Sequence, residues 1–253
     1  MSMFEIVFSP TGGTEKVSGL VTGTLDGNIV TVDLTDSGLD FHGVSMAKGD
    51  VAVISVPSYA GRVPAVAVER LGMVRGNGAR AVLVCVYGGR AFEDTLIELE
   101  DVAKRAGFRG VAAVSAIAEH SVARQFAAGR PDAQDVAQLS EFAQRIRQKL
   151  LNGAASEPSI PGNRPYKQAG GHSMVPHATE DCVSCGACAA LCPVRAIDKD
   201  DPRQVDGEAC ISCMRCVSVC SQNARKLDPN KLAAVTQMLS KACVERRECE
   251  IFI

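Results

Sequence analysis

Met3-Phe4-Glu5-Ile6-Val7-Phe8 runs directly into Ser9-Pro10-Thr11-Gly12-Gly13-Thr14, and a helical pattern with Val17, Leu20 and Val21 on one face follows to about Leu25. The short apolar run suits a strand buried on both faces, as in a parallel sheet. The loop after it offers three hydroxyls, two glycines that let the backbone approach a ligand, and the free N–H groups of a helix start. Together these make an anion site. The loop lacks Gly-Lys-Ser/Thr, so it is not a nucleotide P-loop, and it lacks G-x-G-x-x-G, so it is not a dinucleotide fingerprint. The plain alternative is a Gly/Ser/Thr turn that only caps the helix.

Outward from this unit the same alternation recurs. Strand patterns fall at 29–33, 50–56, 79–87 and 108–118. Helical patterns fall at 63–71 with Pro64 in the first turn, at 92–106 with Leu96, Ile97, Leu99 and Val102 inward, and at 132–150. Strand and helix in alternation imply an α/β domain with a doubly wound parallel sheet covered on both faces. Ligands of such sheets sit beyond the carboxyl ends of the strands. Three loops fall there: 9–14, Pro57-Ser58-Tyr59-Ala60-Gly61-Arg62-Val63, and Tyr87-Gly88-Gly89-Arg90 onward to Asp94. Glu119-His120-Ser121 follows the fifth strand on the same rim. Cys85 alternates with valines and reads as a small buried apolar residue.

Ser-x-Thr-Gly-x-Thr directly after the first strand resembles the phosphate loop of flavodoxins, and the resemblance covers residues 1–150. It implies a five-stranded sheet of order 2-1-3-4-5 and bound FMN. The phosphate would lie on Ser9, Pro10, Thr11, Gly12, Gly13 and Thr14. The ring would lie between Pro57, Ser58, Tyr59, Ala60, Gly61 and Arg62 on one side and Tyr87, Gly88, Gly89 and Arg90 on the other. Tyr59 is the first candidate for stacking on the ring and Tyr87 the second; the chain has no tryptophan. Arg62 and Arg90 stand where many flavodoxins are acidic. Cations there would favour a reduced, anionic flavin by Coulomb attraction, unless both point to solvent. His120 is the candidate proton donor or substrate contact.

The second organising stretch is Cys182-x2-Cys185-x2-Cys188-x3-Cys192-Pro193, then Cys210-x2-Cys213-x2-Cys216-x3-Cys220-Ser221. Eight of the eleven cysteines lie here, in two copies of one spacing. A disulfide framework belongs to small secreted domains, and a zinc ribbon uses two separated pairs. The pattern resembles the bacterial two-cluster ferredoxins. It implies a small α+β domain over 179–228 with two [4Fe-4S] clusters, one on Cys182, Cys185, Cys188 and Cys220, the other on Cys210, Cys213, Cys216 and Cys192. Ser221 stands where the first run has proline, which loosens a turn and removes no ligand.

Between the two domains, 151–178 mixes prolines and glycines without a period of 2 or 3.6 and reads as a linker or an ordered strap. Apolar anchors in Ile160-Pro-Gly-Asn-Arg-Pro-Tyr166 favour the strap. In 229–253, Asp228-Pro229 starts an amphipathic helix expected to dock on one of the domains. Cys243 and Cys249 fall outside the cluster spacing and read as packing or surface thiols.

At 253 residues, 46% hydrophobic and net charge −2, the chain has a real core and lacks the basic surface a nucleic-acid partner needs. Residues 1–150 carry 15 Lys/Arg against 17 Asp/Glu, and the remainder 12 of each, with Arg195 and Arg215 inside the cysteine stretch. No basic leader opens residues 1–10 and no apolar run is long enough to span a membrane; the expected location is cytoplasmic. The domain order resembles the flavodoxin–ferredoxin fusion proteins of anaerobic bacteria and archaea. That resemblance implies electron transfer between the clusters, FMN and a redox protein partner. The alternative is an FMN-dependent reductase of a small acceptor, such as a quinone, nitro compound or ferric chelate, fed by its own ferredoxin domain. With no acid beyond His120 and no separate substrate domain, the carrier is favoured.

Overall fold

The computed structural model describes residues 2–25, 28–153, 156–171 and 173–253. Met1, Asp26, Gly27, Ala154, Ala155 and His172 lie outside the described residues, so the opening residue and three positions of the 151–178 connection are not characterised.

The first unit is β1 (Met3–Val7), the 9–14 loop and α1 (Gly13–Leu25). β2 (Ile29–Asp33), β3 (Val51–Pro57), α2 (Ala65–Met73), β4 (Arg80–Tyr87), α3 (Thr95–Arg105), β5 (Arg109–Ile117) and α4 (Ala133–Leu151) follow. The strands pair in parallel in the order β2-β1-β3-β4-β5, the flavodoxin-like winding with its crevice at the β1/β3 switch point. β3 and β4 are buried almost end to end, as central parallel strands must be. On one face Ile6, Ile54 and Leu83 meet Leu71 of α2 and Leu96 and Leu99 of α3. On the other, Val53 and Val84 meet Val17 and Val21 of α1 and Leu139 and Ile146 of α4. Ser18 of α1 also faces the sheet, where its hydroxyl accepts from Ser55 at 2.9 Å, so the buried pair is satisfied.

The described residues extend the expected five-stranded sheet by a sixth. Three residues at the end of the chain, Glu250–Phe252, pair antiparallel with β5, Ser115 opposite Glu250 and Ala113 opposite Phe252. They cover an edge that would otherwise leave backbone groups unpaired. A three-residue strand is too short to show alternation, which is why the pattern missed it.

The cysteine stretch folds as a near-exact internal repeat with an offset of 28 positions. β6 (His177–Ala178) pairs with β7 (Arg225–Lys226). α5 (Ala187–Ala190) in the first copy corresponds to α6 (Arg215–Ser218) in the second. Ser184 and Arg195 adopt positive φ of 52° and 53°, as do Ser212 and Asn223 at 53° and 51°. Gly186 at 76° corresponds to Met214 at 63°, where the second copy forces a side chain into the left-handed region.

α7 (Pro229–Ala242) begins as its sequence dictates: the Asp228 carboxylate accepts from the N–H groups of Asn230 and Lys231, and Pro229 fills the first turn. The completed chain order is β8 (Glu250–Phe252) after α7. Residues 160–167 of the connection lie along α3. Arg164 pairs with Asp101 and Glu100, Asn163 and Lys167 donate backbone N–H groups to Asp94, and Tyr166 donates its hydroxyl to Asp101.

Candidate functional site

A cavity of about 410 Å³ opens at the carboxyl ends of β1, β3 and β4. Pro10, Thr11, Gly13 and Thr14 form one wall. Pro57, Ser58, Tyr59, Ala60 and Arg62 form a second, and Tyr87 and Gly88 a third. Ser9, Gly12, Gly61, Gly89 and Arg90 are not in its lining. Each has a local reason. Ser9 is buried, its hydroxyl accepting from the Glu15 N–H at 3.0 Å to cap α1. Gly12, Gly61 and Gly89 serve the turns, with φ of 84°, 83° and 92°.

Residues 59–62 form a tight reverse turn closed by hydrogen bonds of 2.9 and 3.1 Å between Tyr59 and Arg62. Ala60 and Gly61 both take positive φ, 51° and 83°. An alanine in the first of these positions is strained, and the turn presents Tyr59 and Ala60 to the cavity. Gly88 is needed for a close approach: a Cβ there would lie 2.5 Å from the His120 ring.

The two arginines do not act as free cations at this rim. Arg62 makes a two-point bond to Glu98, both distances 2.7 Å, donates to the Lys167 carbonyl and stacks on Tyr166 at 4.9 Å. Arg90 pairs with Glu93 at 2.9 and 3.0 Å, outside the lining. Each guanidinium is thus neutralised by a carboxylate that the sequence pattern did not pair with it. The expectation of net positive charge against a flavin is corrected accordingly.

His120 does line the cavity, beside Glu119, Ser121 and Val122. Its Nδ1 accepts from the N–H groups of Val122 and Ala123, both at 3.2 Å. The ring proton therefore sits on Nε2. Burial, with Arg90 nearby, holds the His120 pKa below the ordinary histidine value, so at neutral pH the side chain is a neutral donor and not an imidazolium acid. Its loop is anchored from behind by a buried pair, Arg130 Nε to Asp135 at 2.8 Å, while Arg130 also donates to the Arg247 carbonyl. Tyr87 is mostly core: its ring meets Phe92 at 5.5 Å, and burial first, then Glu250, pushes its phenol up to about 12. Burial also pushes the Tyr59 phenol well up, with the Cys213 thiol as the second cause. Tyr59 thus stands between the cavity and the cysteine domain.

The eight motif cysteines gather around two hollows. Cys182, Cys185, Cys188 and Cys220 line one, here called ring one. Cys192, Cys210, Cys213 and Cys216 line the other, ring two. In each, the cysteine that ends one run joins the three of the other run. The crossing cysteines are placed alike: Cys192 Sγ accepts from Ala196 N–H at 3.3 Å, and Cys220 Sγ from Ala224 N–H at 3.2 Å. Among the described residues no three His, Cys, Asp or Glu side chains converge closely enough for a single metal ion; four thiols around a hollow suit a polynuclear cluster better. Burial pushes the Cys213 and Cys216 thiols up to about 12. Both rings are also lined by arginine nitrogens that are buried and without a partner among the described residues, Arg225 Nε and Nη1 at ring one and Arg215 Nε at ring two. Such cations require an anion, which a thiolate-bound cluster supplies.

The ring-two loop also builds the cavity. Ile211 and Ser212, between Cys210 and Cys213, are part of its lining, together with Ala169, Gly170 and Gly171 of the connection. Arg215 donates to the Pro10 carbonyl of the 9–14 loop at 3.0 Å. Arg70 to the Pro193 carbonyl and Arg195 to the Ser37 carbonyl at 2.8 Å complete the junction. These wall residues were invisible to strand-and-loop reasoning because they come from outside residues 1–150. Their one signal was the placement of Arg195 and Arg215 inside the cysteine stretch.

Fold and site together define a flavodoxin-like α/β domain joined to an iron–sulfur segment. Residues 174–221 match the family model of the 4Fe-4S dicluster domain, which gives the chain an electron-transfer or redox role. No curated protein matches the chain. Among solved structures, a flavodoxin of Streptococcus pneumoniae is similar at 19% identity over 58% of this chain and 99% of its own, TM-score 0.42. Flavodoxin 1 of Bacillus cereus is similar at 12% identity over 58% and 98%, TM-score 0.42. Rubredoxin oxygen:oxidoreductase of Desulfovibrio gigas is similar at 13% identity over 61% of this chain and 37% of its own, TM-score 0.43. The strand order, and not these likenesses, defines the fold. No described helix is long and apolar enough to cross a membrane.

Proposed function

We propose that the chain is an electron-transfer flavo-iron–sulfur protein, with a [4Fe-4S] cluster in each thiol ring, FMN in the 410 Å³ cavity and a redox protein as external partner. The observation that carries this reading is the shared wall: Ile211 and Ser212 of ring two line the same cavity as the 9–14 loop. When bound, the clusters supply one-electron steps and FMN supplies one- or two-electron chemistry.

The chain's own residues do the rest. Thr11, Gly13 and Thr14 offer hydroxyls and helix-start N–H groups to a phosphate. The 59–62 turn and Gly88 form two walls, aromatic on one side and side-chain-free on the other. Residues 169–171 and 211–212 add a further wall from outside the α/β domain. Arg215 fixes ring two against the 9–14 loop, so donor and acceptor sites share one molecule at high effective concentration.

A cavity of this size is within the ~300–1,000 Å³ range of cofactor sites. The second reading, a reductase of a small acceptor, is favoured only by His120 in the lining, whose Nε2–H is an available donor. Anaerobic iron, sulfide and flavin analysis, followed by substrate turnover, tests both. Iron and sulfide without flavin, and none taken up on soaking, would end the flavin part of the proposal; turnover of a quinone or nitro compound abolished by His120→Ala would favour the reductase.

A further inference from the structure

Across the 28-residue repeat the cysteines of the two rings correspond one to one, but the residues between them differ at several places, Gly186 against Met214, Ala187 against Arg215 and Gln222 against Val194 among them; the most deeply buried charge difference lies elsewhere. Ile197, five positions after Cys192, lines ring two; Arg225, five positions after Cys220, lines ring one. Both are buried, Ile197 at 6% and Arg225 at 2% exposure. The repeat therefore puts an apolar side chain against one ring and a cation at the same place against the other. Arg225 Nη2 donates to Cys188 Sγ at 3.2 Å and to the Pro202 carbonyl, while Nε and Nη1 have no partner among the described residues. An uncompensated buried guanidinium is strongly unfavourable, and no carboxylate among the described residues bonds to it. The negative charge that makes it tolerable must come from the ring it faces.

We propose that Arg225 is the buried counter-cation of ring one, and that it makes ring one the better electron-holding site of the two. This rests on the reading that each ring holds a [4Fe-4S] cluster. An electron taken from a low-potential one-electron donor, which is itself oxidised by one electron, adds one negative charge to a ring. That added charge is stabilised most where a fully buried guanidinium touches a ring thiol, as Arg225 touches Cys188; ring two has isoleucine at that place, and its own Arg215 is only half-buried and gives one nitrogen to the Pro10 carbonyl. The guanidinium stays protonated throughout, so no proton moves with the electron.

The test uses the full chain, purified anaerobically with its clusters, as wild type, Arg225→Met and Arg225→Lys. About eight iron atoms per wild-type chain would agree with two cubanes; an iron-free wild type would end the cluster reading and the proposal with it. Reductive titration with dithionite, followed by EPR and by the shifted Cys188 β-proton NMR signals, then measures how one electron divides between the rings. Arg225→Met should move that distribution about tenfold toward ring two, equal to about 59 mV for a one-electron couple. Arg225→Lys should stay within about threefold of wild type, by the same relation. An iron-loaded Arg225→Met with unchanged distribution overturns the proposal while leaving the cluster reading intact, and so does Arg225→Lys behaving like Arg225→Met. If Arg225→Met fails to load iron, Arg225→Lys decides: loading restored by lysine supports the counter-cation, and loading lost in both assigns Arg225 a purely structural role.

Discussion

Ring one and ring two are copies of one unit, yet their surroundings differ in exposure and in the charge set against them. Ring one faces outward: Cys185 is exposed and Val183 beside it is 65% exposed. Ring two faces inward, with Cys192 and Cys213 buried and its Ile211–Ser212 loop against the cavity. Ring one has a buried arginine where ring two has isoleucine. Ring two has instead Arg215, shared with the 9–14 loop. Duplication makes two equal ligand sets; packing against the α/β domain makes them unequal in access and in field. A partner would meet ring one, and the cavity would meet ring two.

The largest effect should come from breaking the inward ring. Cys213→Ala is expected to slow electron exchange between clusters and flavin by about a thousandfold, about 4 kcal/mol in the barrier, by stopped-flow bleaching of the flavin. Cys185→Ala should spare that exchange and slow reduction by an external protein donor. Equal losses in the two variants would break the comparison. Next, Gly88→Ala pushes a Cβ against the His120 ring and should cost flavin binding about 2–3 kcal/mol; titration of released flavin should show this with iron content unchanged. Arg215→Met removes the bond to the Pro10 carbonyl and should cost about 1.5 kcal/mol in flavin affinity; the same loss in Arg195→Met, far from the cavity, would contradict the special role of ring two.

The smallest effect concerns the strap. Arg164, and then Tyr166, hold Asp101 below the usual carboxylate range against some burial; Arg90, then Lys167, do the same for Glu93. Their folded pKa values lie below the unfolded ones, near 3.9–4.3. The stability they add is therefore complete above pH 4–5 and is lost as pH falls through the folded values. The pairs are partly exposed, so each adds only about 0.5 kcal/mol. The protection factors of the Asn163 and Lys167 amides, corrected for the intrinsic slowing of exchange in acid, should fall on acidification through this window, while the amides of β4 stay protected.

Much of this architecture was legible in the residues. Apolar, β-branched runs bounded by glycine and hydroxyl loops located all five parallel strands; β3, β4 and β5 need near-continuous Val, Ile and Ala because they are buried on both faces. Cysteine spacing located the two runs, because chain geometry limits how three thiols surround one hollow. What escaped was information carried by contacts between distant segments. Glu98 neutralises Arg62 from α3, 36 positions away; Glu93 is only three positions from Arg90, but it lies in a loop, where no helical spacing rule announces the pair. Ile211 and Ser212 line a cavity whose walls at 10–14, 57–68 and 86–88 lie more than 100 positions earlier in sequence. Arg225 was open to discovery, since aligning the two cysteine runs sets it against Ile197, but its importance depends on burial, which spacing does not report.

The final strand changes what kind of attachment the iron–sulfur part has. Residues 160–167 are fastened to α3 before it, and Glu250–Phe252 is fastened to β5 after it. The cysteine domain therefore has both flanks pinned to the α/β domain, one on helix α3 and one on strand β5, and is not a bead on a string. A single-ended module samples a volume set by its linker; one clipped at both ends can only rock. Cutting the strap alone would leave it still docked, held by the last strand and by three arginines reaching across the seam. Its closeness to the cavity is then a property of the fold, and no longer a matter of chance encounter.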